Sequence, residues 1–243
     1  TKILYIETLS NPALKVCDIT AMSTIAKRHN LLLVIDNTFT SPWATNPITM
    51  GCDLVIHSTT KYLGGHSQIV GGAVVGRADL IADLFTNKVH FGGAPDPHSA
   101  YLLEQGMRTL HARMPIHVAN SLELAERLAE HDSILSVVHP NHPSHPDFEV
   151  AQRILPKGTG MLSFVVGGGD DGAMNFMRRL KIIFEATSLG GVESLIEVPA
   201  TSSHMFVPED VRISSGVVPG FVRMSVGIED VEDLWEDISQ ALE

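Results

Sequence analysis

The stretch His57-Ser58-Thr59-Thr60-Lys61-Tyr62-Leu63-Gly64-Gly65-His66 concentrates more usable chemistry than any other in the chain. It follows a short apolar run, Leu54-Val55-Ile56, that reads as a strand from about Asp53 to His57. A strand ending in hydroxyls and a lysine aims those groups at the sheet edge where α/β proteins usually bind ligands. The hydroxyls of Ser58, Thr59 and Thr60 can donate to a phosphate, and the two glycines let the backbone approach closely. A lysine amine in that position can form a Schiff base with an aldehyde cofactor. Taken alone, the pattern also describes a surface lysine after a buried strand.

A second stretch changes the balance. Leu31-Leu32-Leu33-Val34-Ile35-Asp36-Asn37-Thr38 reads as a fully buried central strand with an aspartate at its end. In a parallel arrangement that carboxylate lies on the same sheet edge as Lys61. Pyridoxal phosphate requires such a pair: the lysine holds its aldehyde, and an aspartate keeps the pyridine nitrogen protonated so that the ring serves as an electron sink. By itself Asp36 would be a turn or helix-capping residue.

Five words then place the chain. Glu7-Thr8-Leu9-Ser10-Asn11-Pro12, Asp36-Asn37-Thr38-Phe39, the run from His57 to His66, Ser188-Leu189-Gly190-Gly191-Val192-Glu193-Ser194-Leu195 and Val222-Arg223-Met224-Ser225-Val226-Gly227 stand in that order along the whole length. Together they resemble the Cys/Met-metabolism (trans-sulfuration) family of pyridoxal-phosphate enzymes: cystathionine γ-synthase, the cystathionine lyases and methionine γ-lyase. The resemblance covers the C-terminal, larger part of such enzymes.

The resemblance implies an α/β protein of the fold-type-I, aspartate-aminotransferase-like class. It would have a mostly parallel sheet domain (1–112) and a smaller α/β C-terminal domain (113–243). It implies pyridoxal 5'-phosphate held by Lys61, with Asp36, Ser58, Thr60, Thr38 and Asn11 as further cofactor residues. It implies that Arg223, Asn11, Ser188 and Leu189 bind an amino-acid substrate, with Arg223 and Asn11 fixing its carboxylate. The freed Lys61 would shuttle protons, giving β- or γ-elimination or γ-replacement on a sulfur amino acid. Cystathionine γ-lyase or γ-synthase chemistry is the first choice; methionine γ-lyase and O-acylhomoserine sulfhydrylase are alternatives, and a catalytically silent binding subunit is the non-enzyme alternative. Against the last, a binding module has no use for a Schiff-base lysine. The chain departs from the family at Thr187, where glutamate or tyrosine is common, at Gln105, and in Val198-Pro199-Ala200-Thr201-Ser202-Ser203-His204. These departures bear on substrate preference. Family members assemble as dimers or tetramers with shared sites, and their N-terminal part supplies a Gly-Met phosphate loop, a stacking tyrosine and a Tyr-x-Arg clamp. The 243 residues alone are therefore expected to be incompetent, and the start at Thr1 is expected to be artificial.

Composition is that of an ordinary globular protein, 44% apolar and 19% charged, with length for one or two cores. A net charge of −11 argues against nucleic acid, which needs a basic face. No run of eighteen apolar residues offers a membrane span, and no secretory signal is visible. Cys17 and Cys52 read as free thiols of a cytoplasmic protein.

The remaining elements follow from periodicity. Strands are expected at 2–7, 69–76, 161–166, 181–185 and 221–226. Helices are expected from Asp18 to about His29, over 78–86, 98–106, 113–130 and 170–180, and over 229–242. Pro115 is tolerable only in the first turn of its helix. Alternating strands and helices argue for a parallel sheet covered on both faces. The His139-to-Pro146 loop has three histidines, but its three prolines make it rigid and no cysteine or carboxylate set completes a metal sphere. Gly167-Gly168-Gly169 lacks the Lys-Ser/Thr of a phosphate loop. Arg223, alone on an apolar strand, must find an acid partner or face a cavity.

Overall fold

A computed structural model describes all 243 residues. In chain order, β1 (Ile3–Glu7) leads through a turn to α1 (Ile19–Arg28), whose N-cap Asp18 accepts from the Ala21 amide at 3.1 Å. Then come β2 (Leu32–Asp36), the single-turn α2 (Ser41–Ala44), β3 (Leu54–Ser58) and β4 (Gly72–Gly76). Helices α3 (Ala78–Phe91), α4 (Pro97–Arg108) and α5 (Leu110–Ala129) follow without an intervening strand. The remainder is β5 (Ile134–Val138), α6 (Phe148–Ile154), β6 (Met161–Val166), α7 (Gly169–Arg179), β7 (Phe184–Glu185), β8 (Leu195–Glu197), α8 (Glu209–Ser215), β9 (Phe221–Ser225) and α9 (Val231–Leu242).

Two sheets organise these elements. The first has the order β1-β2-β3-β4, with the first three strands parallel. The register pairs Glu7 with Asp36 and Asp36 with Ile56, so the C-terminal ends of β1, β2 and β3 open onto one edge. Strand β4 returns antiparallel to β3. The intervening residues 59–71 are taken up by the lysine turn and a loop with no α-helix, whereas a parallel crossover usually carries one. The strand expected from Ile69 accordingly begins only at Gly72, and Ile69 packs under Gly64. The second sheet, β5-β6-β9-β8-β7, is antiparallel except for its β7–β8 pair.

Its core explains why β6 and β9 read as continuous apolar runs. Leu162, Phe164, Val222 and Met224 are sealed beneath α5, α7 and α9, whose Leu124, Leu128, Phe176, Leu234 and Ile238 interdigitate with them. A smaller cluster holds α1 and α6 on the first sheet through Ile19, Leu33, Ile35, Val55 and Ile154.

Three further local expectations fail. Helix α5 starts at Leu110, so Pro115 lies inside it; the long apolar stripe of α5 outweighs one lost backbone bond. Helix α3 runs on to Phe91 and stops at Gly92, whose φ of +74° ends it. The strand over 181–185 shrinks to Phe184–Glu185 because the buried Asp237 carboxylate accepts from the amides of Lys181, Ile182 and Ile183 at 2.7, 2.9 and 3.0 Å.

Candidate active site

Asp36 ends β2 at the common strand edge. Its Oδ1 accepts from the Thr38 amide at 2.9 Å and its Oδ2 from the Tyr5 hydroxyl at 3.4 Å. Partial burial, and then the Asp36 charge, push the Tyr5 phenol above its ordinary pKa. His57, buried beside them, is driven towards the neutral form by desolvation, which the Asp36 charge only partly opposes. The loop after β2 is fixed by Asn37. Its Oδ1 accepts from Thr8 and Thr40 at 2.7 and 2.6 Å, and its amide donates to the Ser41 and Thr45 carbonyls.

Lys61 sits in a π-type turn, Thr59–Leu63, at the end of β3 and departs from helical geometry (φ −96°, ψ −135°). Such turns are frequent at functional sites. The turn is pinned from several sides. The Thr38 hydroxyl accepts from the Ser58 amide at 2.9 Å, and the Thr60 hydroxyl accepts from the Gly71 amide at 3.0 Å. Of the hydroxyls expected to face a phosphate, Thr60 is thus engaged with backbone, while half-buried Ser58 keeps its hydroxyl free of such bonds; Thr38, expected only as a cofactor residue, is likewise engaged with backbone. Tyr62 points into the core, edge-on to His117, and burial raises its phenol pKa. Behind the turn, the Arg113 guanidinium donates to the Tyr62 and Gly106 carbonyls at 3.0 and 2.8 Å. Gly65 suits that place, since its φ of +69° is left-handed and a Cβ would collide with the Arg113 guanidinium.

The Lys61 amine donates to the Ser188 hydroxyl at 2.7 Å. Burial first, and the Arg223 charge second, lower its pKa, while Glu197 opposes them. Ser188 holds a left-handed backbone, φ +99°. Its carbonyl accepts from Arg223 at 3.0 Å, and the other terminal nitrogen of Arg223 donates to Asn11 Oδ1 at 2.7 Å. Of the two outcomes open to Arg223, an acid partner or a cavity, the structure provides an acid partner, Glu197, paired with it at 2.7 Å with both side chains buried. Gly190 closes the loop against the lysine turn, its amide donating to the Ser225 hydroxyl at 2.9 Å.

Lys61, Ser188, Arg223 and Asn11 are therefore joined in one hydrogen-bonded set that bridges the two sheets. Asp36, Thr38 and Ser58 form a second set at the strand ends, and Thr60 is tied to Gly71. Leu189 follows Ser188 in the same loop. Its side chain belongs to the apolar cluster of Leu14, Tyr62, Leu63, Met114 and Met161, where a leucine avoids water, and takes no part in the polar set. Glu197 and Arg113 went unrecognised in the sequence. Glu197 carried the same signal as Arg223, a lone charge in an apolar run, Leu195-Ile196-Glu197-Val198.

Comparison with known proteins gives the family of the chain. A sequence model of the Cys/Met metabolism PLP-dependent enzymes matches residues 1–243. The chain is 43% identical to cystathionine gamma-lyase of Bacillus subtilis (strain 168), over all of this chain and 64% of that protein. It is 42% identical to cystathionine beta-lyase of Lactococcus lactis subsp. cremoris, again over all of this chain and 64% of the relative. The crystal structure of cystathionine gamma-lyase from Lactobacillus plantarum complexed with L-serine superimposes with a TM-score of 0.95 at 36% identity, covering 99% of this chain and 63% of that one. The chain thus spans somewhat under two thirds of the length of the proteins it matches. With its lysine turn, strand-end aspartate and buried arginine in one α/β framework, it belongs to the Cys/Met metabolism family of pyridoxal-phosphate-dependent enzymes.

Proposed function

We propose that this chain is the lysine-bearing part of an enzyme that eliminates or replaces the sulfur group of a sulfur amino acid, with γ-elimination from cystathionine the leading reaction. The observation that carries the reading is the contact between the Lys61 amine and the Ser188 hydroxyl, next to an arginine whose charge is fixed in place. The donor set fits pyridoxal phosphate: an amine whose pKa is depressed, a carboxylate at the neighbouring strand end and a hydroxyl, Ser58, at the mouth of the turn. Lys61 would hold the aldehyde, Asp36 the pyridine nitrogen, and Ser58 the phosphate. When bound, the cofactor supplies an electron-withdrawing ring that stabilises carbanion charge beside it.

The chain's own residues do the rest. Arg223 and Asn11 hold the substrate carboxylate, leaving the amino group directed at the Lys61 turn. A pKa below the ordinary lysine value makes the Lys61 amine easier to deprotonate, which favours its use as a base. The Ser188 hydroxyl, 2.7 Å away, holds that amine in a single orientation while it carries a proton from the substrate's α-carbon to its neighbours. We place the boundary between the cofactor-bearing and smaller domains near residue 112, and the whole protein in the cytoplasm as a homodimer or homotetramer with sites shared between subunits. Supporting that setting, both cysteines are free, and burial pushes their pKa values up to about 11.

The test is product analysis with full-length protein and added pyridoxal phosphate. Cystathionine is expected to give cysteine, 2-oxobutyrate and ammonia. Lys61→Ala should abolish both turnover and the visible absorbance of bound cofactor. Turnover by Lys61→Ala at the wild-type rate would sink the reading.

A further inference from the structure

Arg223 already has a carboxylate before any substrate arrives. Antiparallel pairing of β8 with β9 sets Glu197 directly opposite Arg223, so the ion pair is imposed by the sheet rather than by a mobile loop. Both side chains are almost sealed, at 4% and 2% exposure. Glu197 is also held from its far side: the Ser202 hydroxyl donates to Oε2 at 2.7 Å and the Ser203 hydroxyl to Oε1 at 3.2 Å. On the arginine, one terminal nitrogen serves Glu197 and the Ser188 carbonyl, and the other serves Asn11. The Nε is buried without a partner. An incoming carboxylate therefore meets a guanidinium that is largely neutralised and has few hydrogens left to offer, although five N–H groups were available at the start.

We propose that Glu197 competes with the substrate's carboxylate for Arg223 and so sets how tightly the amino acid binds. The proposal rests on reading Arg223 as the carboxylate anchor. Two carboxylates on either side of one guanidinium lie roughly 6–7 Å apart, and at an effective dielectric of about 20 their repulsion is worth a ten- to hundredfold loss of affinity. Glu197 has a compensating role, because a buried guanidinium without a counter-charge is expensive and free to swing away. The same carboxylate offsets the pull of Arg223 on the Lys61 amine. Ser202 and Ser203 moderate the competition, since each hydroxyl that solvates Glu197 weakens its grip on the arginine. The Ser202-Ser203 pair is then a determinant of substrate affinity.

The experiment is calorimetric titration of propionate, a carboxylate without an amine, into full-length, cofactor-loaded protein. Glu197→Gln keeps the size of the side chain and an acceptor for Arg223 but removes the charge; propionate should bind about tenfold tighter, and KM for the amino acid should fall. The double variant Ser202→Ala/Ser203→Ala leaves Glu197 to the arginine alone, and propionate should bind several-fold more weakly. A merely structural glutamate would give weaker binding in both. Unchanged or weaker propionate binding by folded Glu197→Gln overturns the proposal. If that variant does not fold, unchanged or tighter binding by the double variant overturns it. Arg223→Gln separates the layers: if propionate affinity survives that change, the anchor reading beneath the proposal is wrong.

Discussion

Replacing Gly190 by alanine should damage the lysine turn from a distance that can be read off the backbone. A Cβ built there stands 2.6 Å from the Tyr62 amide nitrogen and 3.1 Å from the Lys61 carbonyl carbon. Ordinary contact begins at about 3.4 Å, so the two segments must part by roughly 0.8 Å. Gly190 cannot retreat cheaply, because its own amide is bonded to Ser225. Its φ of +76° adds about 1–2 kcal/mol of strain for any L-side chain. The displacement is delivered to the residue that carries the reactive amine. A misplacement of about 1 Å in a reacting group costs on the order of a hundredfold in rate. Full-length Gly190→Ala should therefore lose about a hundredfold in kcat on cystathionine and several degrees in Tm, with a smaller effect on KM. Gly93→Ala is the control, since no atom lies within 4 Å of its Cβ position. If both variants keep wild-type kcat, the close approach of the Ser188 loop does not position Lys61, and the reasoning fails.

Other outcomes follow from single contacts. Arg223→Lys keeps the charge but loses the planar fork, so KM for the amino acid should rise at least about tenfold while cofactor affinity, measured by absorbance titration, hardly changes. Asp237→Ala leaves three backbone amides without their acceptor; Lys181 and Ile182 can turn to water but Ile183 cannot, so urea unfolding should report a loss of about 2–3 kcal/mol. His117 and His139 are fully buried, and desolvation lowers each to about 4. Their folded pKa values lie below the unfolded 6.5, so the unfolded chain binds protons first and stability falls as pH drops through 6.5 towards 4. Between pH 7 and 5 each should cost about 2 kcal/mol in the urea midpoint analysis, and His139→Asn should flatten that slope.

How much was legible depended on whether the determining contact was local. The run Leu31 to Asp36 could be read as a central strand because a strand buried on both faces has no alternative pattern, and β6 and β9 were readable for the same reason. Asp18 announced α1 through its own capping bond. Lys61 was conspicuous because hydroxyls and glycines crowd its turn. The errors lie where distant residues decide. Strand β7 is shortened by an aspartate more than fifty residues away. Helix α5 accommodates Pro115 because a core that the local sequence does not reveal rewards its extra turn. An acid partner for Arg223 was one of two outcomes the sequence allowed, and it could not be named, since only the β8–β9 register brings Glu197 opposite it. The backbone bonds of the Thr38 and Thr60 hydroxyls were not legible, because they depend on the Ser58 and Gly71 amides, 20 and 11 residues further along the chain.

The grip of Asp237 on the amides of Lys181 to Ile183 reaches beyond its own helix. Strand β7 is the outermost member of the five-stranded sheet and only two residues long. A longer one would present a row of vacant donors to any passing extended chain, the template from which sheet-to-sheet aggregation grows. By drawing three consecutive donors onto a buried carboxylate, the fold removes that template with one side chain. Losing the carboxylate would therefore do more than loosen α9: freed amides beside Phe184, which is 63% exposed, would form a sticky border. Asp237→Ala protein should thus precipitate on refolding at concentrations where the parent stays clear, a liability that its equilibrium stability alone would not reveal.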